Sequence, residues 1–147
     1  MLTATHKPTL LLIEDEEDDA FFFRRTFNKS GAAFSVCHVS NGAAAMDYLR
    51  EAASANSLPR IIFLDLKMPV LNGFDVLGWM QTQAFPAAVP VVVLSGSEQQ
   101  NDKDRARELG ATAYMVKPVA VADFNRILRE VIPEPDGTTP ARTGAQA

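Results

Sequence analysis

A single cysteine in 147 residues, Cys37, leaves no internal disulfide framework possible. No set of histidines and cysteines around it has the spacing of a zinc site, so it reads as a small core residue on a strand. Long apolar runs are also missing. Nothing approaches the roughly 18 residues of a membrane span, and Met1 to Pro8 lacks the apolar stretch of a signal peptide. A cytoplasmic protein is expected. Positive charge is scarce: 14 Lys and Arg against 18 Asp and Glu give a net charge of −4 and a pI near 5.1. Neither nucleic acid nor an anionic membrane is a natural partner for such a surface. No internal repeat is visible, which excludes solenoids and propellers.

What remains is ordinary globular material, 47% hydrophobic and 22% charged. It fits one domain over residues 9–132. A short tail, 1–8, precedes it, and 133–147 is a Pro/Gly/Thr/Ala-rich stretch expected to be disordered and too short for an output module.

Five apolar runs alternate with helical patterns. Thr9 to Ile13 is a buried strand, followed by six acids, Glu14 to Asp19. The helix after them places Ala20, Phe23 and Phe27 on one face and stops at Ser30-Gly31. Phe21 and Phe22 exceed that face, and at least one is expected to pack at its edge. Phe34 to Val39 alternates, as an edge strand does, with His38 on the exposed phase as a surface residue. Ala43 to Ala53 is a helix using Ala44, Met46, Tyr48 and Leu49. Ile61 to Leu64 runs apolar without alternation into Asp65, the pattern of a strand covered on both faces. Phe74 to Gln83 is a helix with Val76, Leu77 and Met80 inward. Pro86 and Pro90 bracket a loop before the strand Val91 to Leu94, which ends at Ser95-Gly96-Ser97. Asp102 to Leu109 is a charged helix with little to bury. Ala113 to Val116 is a short strand ending at Lys117-Pro118, and Val121 to Ile132 is the last helix, stopped by Pro133. The order βαβαβαβαβα predicts an α/β doubly wound parallel sheet.

In such a sheet the C-terminal strand ends converge on one crevice. Those ends carry Glu14 and Asp15, then Asp65, Ser95 and Lys117. A helix dipole accounts for Glu17, Asp18 and Asp19. It does not account for Glu14 and Asp15 at the strand terminus. Clustered carboxylates repel unless a cation offsets them, and Mg²⁺ prefers one or two carboxylates plus waters and a phosphate oxygen. Asp15 and Asp65 are the expected direct ligands, with Glu14 holding a metal-bound water and the Lys67 backbone carbonyl completing the shell. A carboxylate there can accept a phosphoryl group to form an aspartyl phosphate. Lys117 and the Ser95 hydroxyl would then neutralise the remaining oxygens, and Gly96 keeps the approach open.

These residues resemble the receiver domain of a two-component response regulator, of the CheY-like kind, over Thr9 to Ile132. The marks are Glu14-Asp15, Leu64-Asp65-Leu66-Lys67-Met68-Pro69 followed by Asn72-Gly73, then Ser95-Gly96, and Tyr114 three residues before Lys117-Pro118. The resemblance implies a flavodoxin-like five-stranded sheet in the order 2-1-3-4-5 and a sensor histidine kinase that phosphorylates Asp65. It also implies that Ser95 turns toward the phosphate, that Tyr114 rotates inward, and that the surface of the fourth helix, fifth strand and fifth helix changes. From the residues alone, Tyr114 would be a half-buried strand aromatic with its hydroxyl in water. The family place before Lys117 favours the switch.

The chain departs from the family pattern at several points. Glu14 stands where Asp is frequent, Ser95 where Thr is, and Asn72 where Asp is. Lys67 and Ser97 flank the path of the hydrolytic water in the family and bear on the lifetime of the phosphate. The long loop before the acceptor strand and the Phe-rich first helix resemble stand-alone receivers that serve phytochrome-type kinases. The wide apolar stripe of the last helix would suit a homodimer if Val131 and Ile132 were exposed. Two rival readings have a different chemistry. A phosphorylation-independent interaction module would not need Asp15, Asp65, Ser95 and Lys117 together. A dehalogenase-type phosphatase would need a second Asp where Lys67 stands.

Overall fold

Buried on both faces, a parallel strand has no need to alternate, and the apolar runs Leu10 to Ile13, Ile61 to Leu64 and Val91 to Leu94 form the interior of the sheet. In a computed structural model, which describes residues 7–85 and 88–132, five strands pair in parallel in the order 2-1-3-4-5. They are β1 (Thr9–Ile13), β2 (Ser35–Val39), β3 (Ile61–Asp65), β4 (Val91–Ser95) and β5 (Ala113–Val116). Every residue of β3 and β4 is buried, whereas β2 and β5, at the two edges, are only partly covered. The helices are α1 (Glu17–Ser30), α2 (Gly42–Ser54), α3 (Gly73–Gln81), α4 (Gln100–Glu108) and α5 (Val121–Val131). This is the flavodoxin-like, doubly wound order. Pro86 and the stretch 133–147, including the helix stop at Pro133, lie outside the described residues, as do residues 1–6 of the expected tail.

The helices divide between the faces. On one, α1 and α5 cover Leu10, Leu12, Ile61 and Phe63. There Phe63 stacks on Phe124 at 5.5 Å between ring centroids, and Phe23 closes on Phe63 at 4.9 Å. Truncating a ring such as Phe124 to Ala would cost about 3–5 kcal/mol. On the other, α2, α3 and α4 cover Leu11, Ile13, Ile62, Leu64 and Val93.

Several expectations shift at the level of single faces. Helix α2 buries Ala45, Leu49 and Ala52, with Ala44, Met46 and Tyr48 only partly covered. In the run Ala43-Ala44-Ala45 the residues have no contrast, so periodicity does not fix the phase. Phe21 and Phe22 both stay largely exposed, at 60% and 53%, and meet each other edge-on. His38 is half-buried rather than on the surface, because its ring nitrogen bonds the Glu14 carbonyl at 2.8 Å. Val131 and Ile132 pack against the core between α1 and α5, so the stripe of α5 serves this chain's own interior. Helix α4 is as thinly packed as its composition predicts: Ala106 is its one buried residue. Arg105 instead lies over the Phe74 ring at 4.1 Å, a cation–π contact joining α4 to α3.

The loop after β3 is braced from below. Asn72 caps α3 reciprocally with Asp75, and the Gly73 N–H donates to the Leu66 carbonyl at 3.0 Å. A Cβ at Gly73 would sit 2.6 Å from the Asp65 carbonyl, so only glycine lets the helix start this close to the strand end. Val70, in the same loop, is 99% exposed and takes a φ of 68°, which is strained for a β-branched residue.

Candidate functional site

Register decides which strand ends share an edge. Ile13 pairs with Leu64, Asp65 with Leu94, and Ser95 with Val116. Glu14, Asp65, Ser95 and Lys117 therefore emerge together at the C-terminal edge, where β1 and β3 mark the reversal of strand order.

Three carboxylates meet there. Glu14 and Asp65 are 1% and 2% exposed. Asp15 is half-buried, and its Oδ1 is enclosed with no hydrogen-bond partner among the described residues. One oxygen from each of Glu14, Asp15 and Asp65 can lie within 4.8 Å of the others. An enclosed, unpartnered carboxylate oxygen between two buried acids suits a hard divalent cation, which takes oxygen ligands in this kind of cluster. The donor set fits Mg²⁺.

The Lys117 ammonium is the opposing charge. Its Nζ lies 2.8 Å from Asp19 Oδ2, 3.0 Å from Glu14 Oε1 and 3.1 Å from Asp65 Oδ1. Burial pushes the Glu14 carboxyl up to about 7, against the pull of Lys117, and the nearby Asp65 charge pushes the same way. Burial also raises Asp65, opposed by Lys117 and by the backbone N–H of Lys67, which donates to its carboxylate. For Lys117, burial acts downward, but the hydrogen bonds to Asp19 and Glu14 outweigh it and hold the ammonium above its usual range. Both Glu14 and Asp65 thus hold protons more readily than free carboxyls.

A second set of contacts surrounds Ser95, which is fully buried. Its Oγ accepts the Ser97 N–H at 3.0 Å. The Ser97 hydroxyl donates to Asp102 Oδ2 at 2.7 Å and accepts the Gln99 N–H at 3.1 Å. The Tyr114 hydroxyl donates to the Ser97 carbonyl at 2.9 Å, so it is bonded to protein. Gly96 is exposed, and a Cβ there would meet nothing within 4 Å. The Lys67 side chain is exposed beside the Ser97 loop.

Glu14, Asp15, Asp65, Ser95 and Lys117 thus gather at one edge, Lys67 and Gly96 lie at its rim, and Tyr114, within β5, reaches the rim through its hydroxyl. Three more join them. Asp19 reaches Lys117, His38 fixes the Glu14 carbonyl, and Asp102 ties Ser97 to α4. Asp19 read only as a first-turn carboxylate of α1, and its contact with Lys117, 98 residues away, left no local signal. His38 and Asp102 had none either, because their partners come from other elements.

A five-stranded 2-1-3-4-5 sheet with an acidic pair, a buried strand-end Asp and a facing Lys defines a response regulator receiver. The chain belongs to that family: the family model for the response regulator receiver domain matches residues 10–129. Among individual proteins, it is 34% identical over 83% of its length to a probable methanogenesis regulatory protein, FilR2, of Methanothrix harundinacea (strain 6Ac), covering 79% of that protein. The bacteriophytochrome response regulator AtBRR superposes with a TM-score of 0.73 at 31% identity, over 85% of this chain and 92% of that one. The Mn²⁺-bound form of the response regulator Rcp1 superposes with a TM-score of 0.67 at 27% identity, over 83% of this chain and 89% of that one. Among the described residues no helix is long and apolar enough to cross a membrane.

Proposed function

We propose that this chain is a phosphorylatable receiver of a two-component system, over residues 9–132, with Asp65 as the phosphoacceptor. The observation that carries the reading is the placement of Asp65, buried at the sheet edge, 3.1 Å from the Lys117 ammonium and beside the unpartnered Asp15 oxygen. An Asp65 oxygen attacks the phosphorus of a histidine kinase's phosphohistidine. The P–N bond breaks, and its electron pair stays with the imidazole. Asp15, Asp65, Glu14 (through a water) and the Lys67 carbonyl would hold Mg²⁺, which supplies charge neutralisation for the phosphoryl oxygens.

The chain's own groups complete the clamp. Lys117 gives an N–H to one phosphoryl oxygen and the Ser95 hydroxyl to another, while Gly96 leaves the entry unobstructed. Turning Ser95 toward the phosphate would stretch the bond its Oγ accepts from the Ser97 N–H, loosening the contacts that join Ser97 to Tyr114 and Asp102. That change passes to the surface of α4, β5 and α5, to be read by a downstream protein or a second copy of this chain. Lys67 and Ser97 flank the approach of water and set the lifetime of the phosphate. With Lys67 in place of a second Asp, the chain turns over no external phosphate ester.

The similarity to the bacteriophytochrome response regulators AtBRR and RtBRR supports a bacteriophytochrome-type sensor kinase as donor, and such a pairing would place the chain in the cytoplasm. The test is incubation with acetyl phosphate. The wild type gains one phosphoryl group by intact mass in Mg²⁺ and none in EDTA, and Asp15→Asn weakens the requirement-bearing metal site so that more Mg²⁺ is needed. A wild type that gains no mass in Mg²⁺ would leave the interaction module as the better reading.

A further inference from the structure

Lys117 faces three carboxylates, donating hydrogen bonds to Glu14 and Asp19 and lying 3.1 Å from Asp65, and only Glu14 and Asp65 belong to the cluster suited to a cation. The third, Asp19, sits in the first turn of α1 and makes the shortest of the contacts, 2.8 Å. Glu14 and Asp65 are in demand from both sides: an ammonium and a divalent cation compete for the same buried oxygens. Without Asp19, the ammonium would have no counter-charge except those two, and it would sit on them more fully. With Asp19, a partner outside the cluster shares the ammonium from the helix side.

We propose that Asp19 is a positioning residue that draws Lys117 away from Glu14 and Asp65, leaving their oxygens available to a divalent cation. This rests on the proposed Mg²⁺ site. When the cation binds, Asp19 remains the fixed partner of Lys117, and the N–H groups given up by Glu14 and Asp65 face the entry of the anionic group. The side chain of Asp19 is 39% exposed and that of Lys117 19%, so the effect is moderated by solvent. A carboxylate in the first turn of a helix also favours the dipole, and Glu17 and Asp18 do that without touching Lys117. Asp18, exposed on the same turn, is therefore the matched control.

Calorimetric titration of the full chain with Mn²⁺, then Mg²⁺, separates the two roles, with thermal melts checking that each variant is folded. Asp19→Asn should weaken cation binding by roughly tenfold, while Asp18→Asn should change it by about twofold or less. Asp19→Glu should recover part of the loss. In a Lys117→Met background the extra effect of Asp19→Asn should vanish, because there is no ammonium left to restrain. Equal effects of Asp19→Asn and Asp18→Asn overturn the proposal, as does a loss of the same size with and without Lys117, which is simple local charge. A wild type that binds neither cation overturns the metal site itself, and the proposal with it.

Discussion

Tyr114 on β5 donates its hydroxyl to the backbone carbonyl of Ser97, 2.9 Å away, in the loop that leads from Ser95 to α4. Ser97 is the junction: its N–H goes to Ser95, and its hydroxyl goes to Asp102 on α4. The first turn of the thinly packed α4 is therefore tied to the loop after β4 through the Ser97 hydroxyl. Ser97→Ala removes the bond to Asp102 and the one from the Gln99 N–H, and should cost about 1–2 kcal/mol of stability. Amide hydrogen exchange in residues 98–104 should accelerate more than in β4. Unchanged exchange there would show that α4 is held by other contacts.

Glu14 gives the metal-free chain a pH dependence. Its carboxyl rises from the ordinary 4.5 to about 7 in the fold, through burial first, and Asp65 moves the same way. Through that window the folded chain keeps a proton that the unfolded chain releases, so stability falls as pH rises. In EDTA the loss between pH 5 and 7.5 should be on the order of 2 kcal/mol, read by urea denaturation, and Glu14→Gln should flatten it. Added Mg²⁺ should offset the fall at the upper end, since it binds the deprotonated carboxylates. Stability rising over the same range in EDTA would contradict this.

Gly73 lets α3 start against the strand end. In Gly73→Ala the new Cβ meets the Asp65 carbonyl at 2.6 Å and the Leu66 backbone at 2.8 Å, neither of which is a flexible side-chain tip. The substitution should cost about 1–3 kcal/mol by overpacking and should slow phosphorylation, because the displaced atoms carry the acceptor. Wild-type melting and phosphorylation rates would show that the loop yields freely.

Val70 presents the opposite case. Nothing covers its side chain, and its backbone is left-handed at φ 68°. Val70→Gly relieves about 1–2 kcal/mol of strain against an entropic cost of about 0.5–1 kcal/mol, so the chain should melt slightly higher. A clearly lower melting temperature would mean that the valine makes a contact in solution that compensates its conformation.

The fold was legible because burial and chain direction are written in local pattern. The ends of β1 and β5 fall where the apolar runs stop, and the unbroken runs at Leu10, Ile61 and Val91 are the three interior strands. The acidic and basic ends were legible for a related reason: a charge next to a fully buried strand has few places to go except the sheet edge. Contacts between elements left no such trace. Asp19 and Lys117 are 98 residues apart, and His38 and Glu14 are 24 apart. The phase of α2 was hidden by adjacent alanines, and Phe21 and Phe22, expected to leave at least one ring packed at the edge of the buried face, both stay largely exposed.

The most direct measurement is localisation of the phosphoryl group. Wild type, Asp65→Asn and Glu14→Gln are incubated with acetyl phosphate and Mg²⁺, and each product is mapped by mass spectrometry after borohydride reduction of the acyl phosphate. The wild type should be modified at Asp65 alone, Glu14→Gln should remain modified there at a lower rate, and Asp65→Asn should take up nothing. A phosphoryl group on Asp65→Asn, or one on Glu14 or Asp15 in the wild type, would contradict the assignment of Asp65 as acceptor.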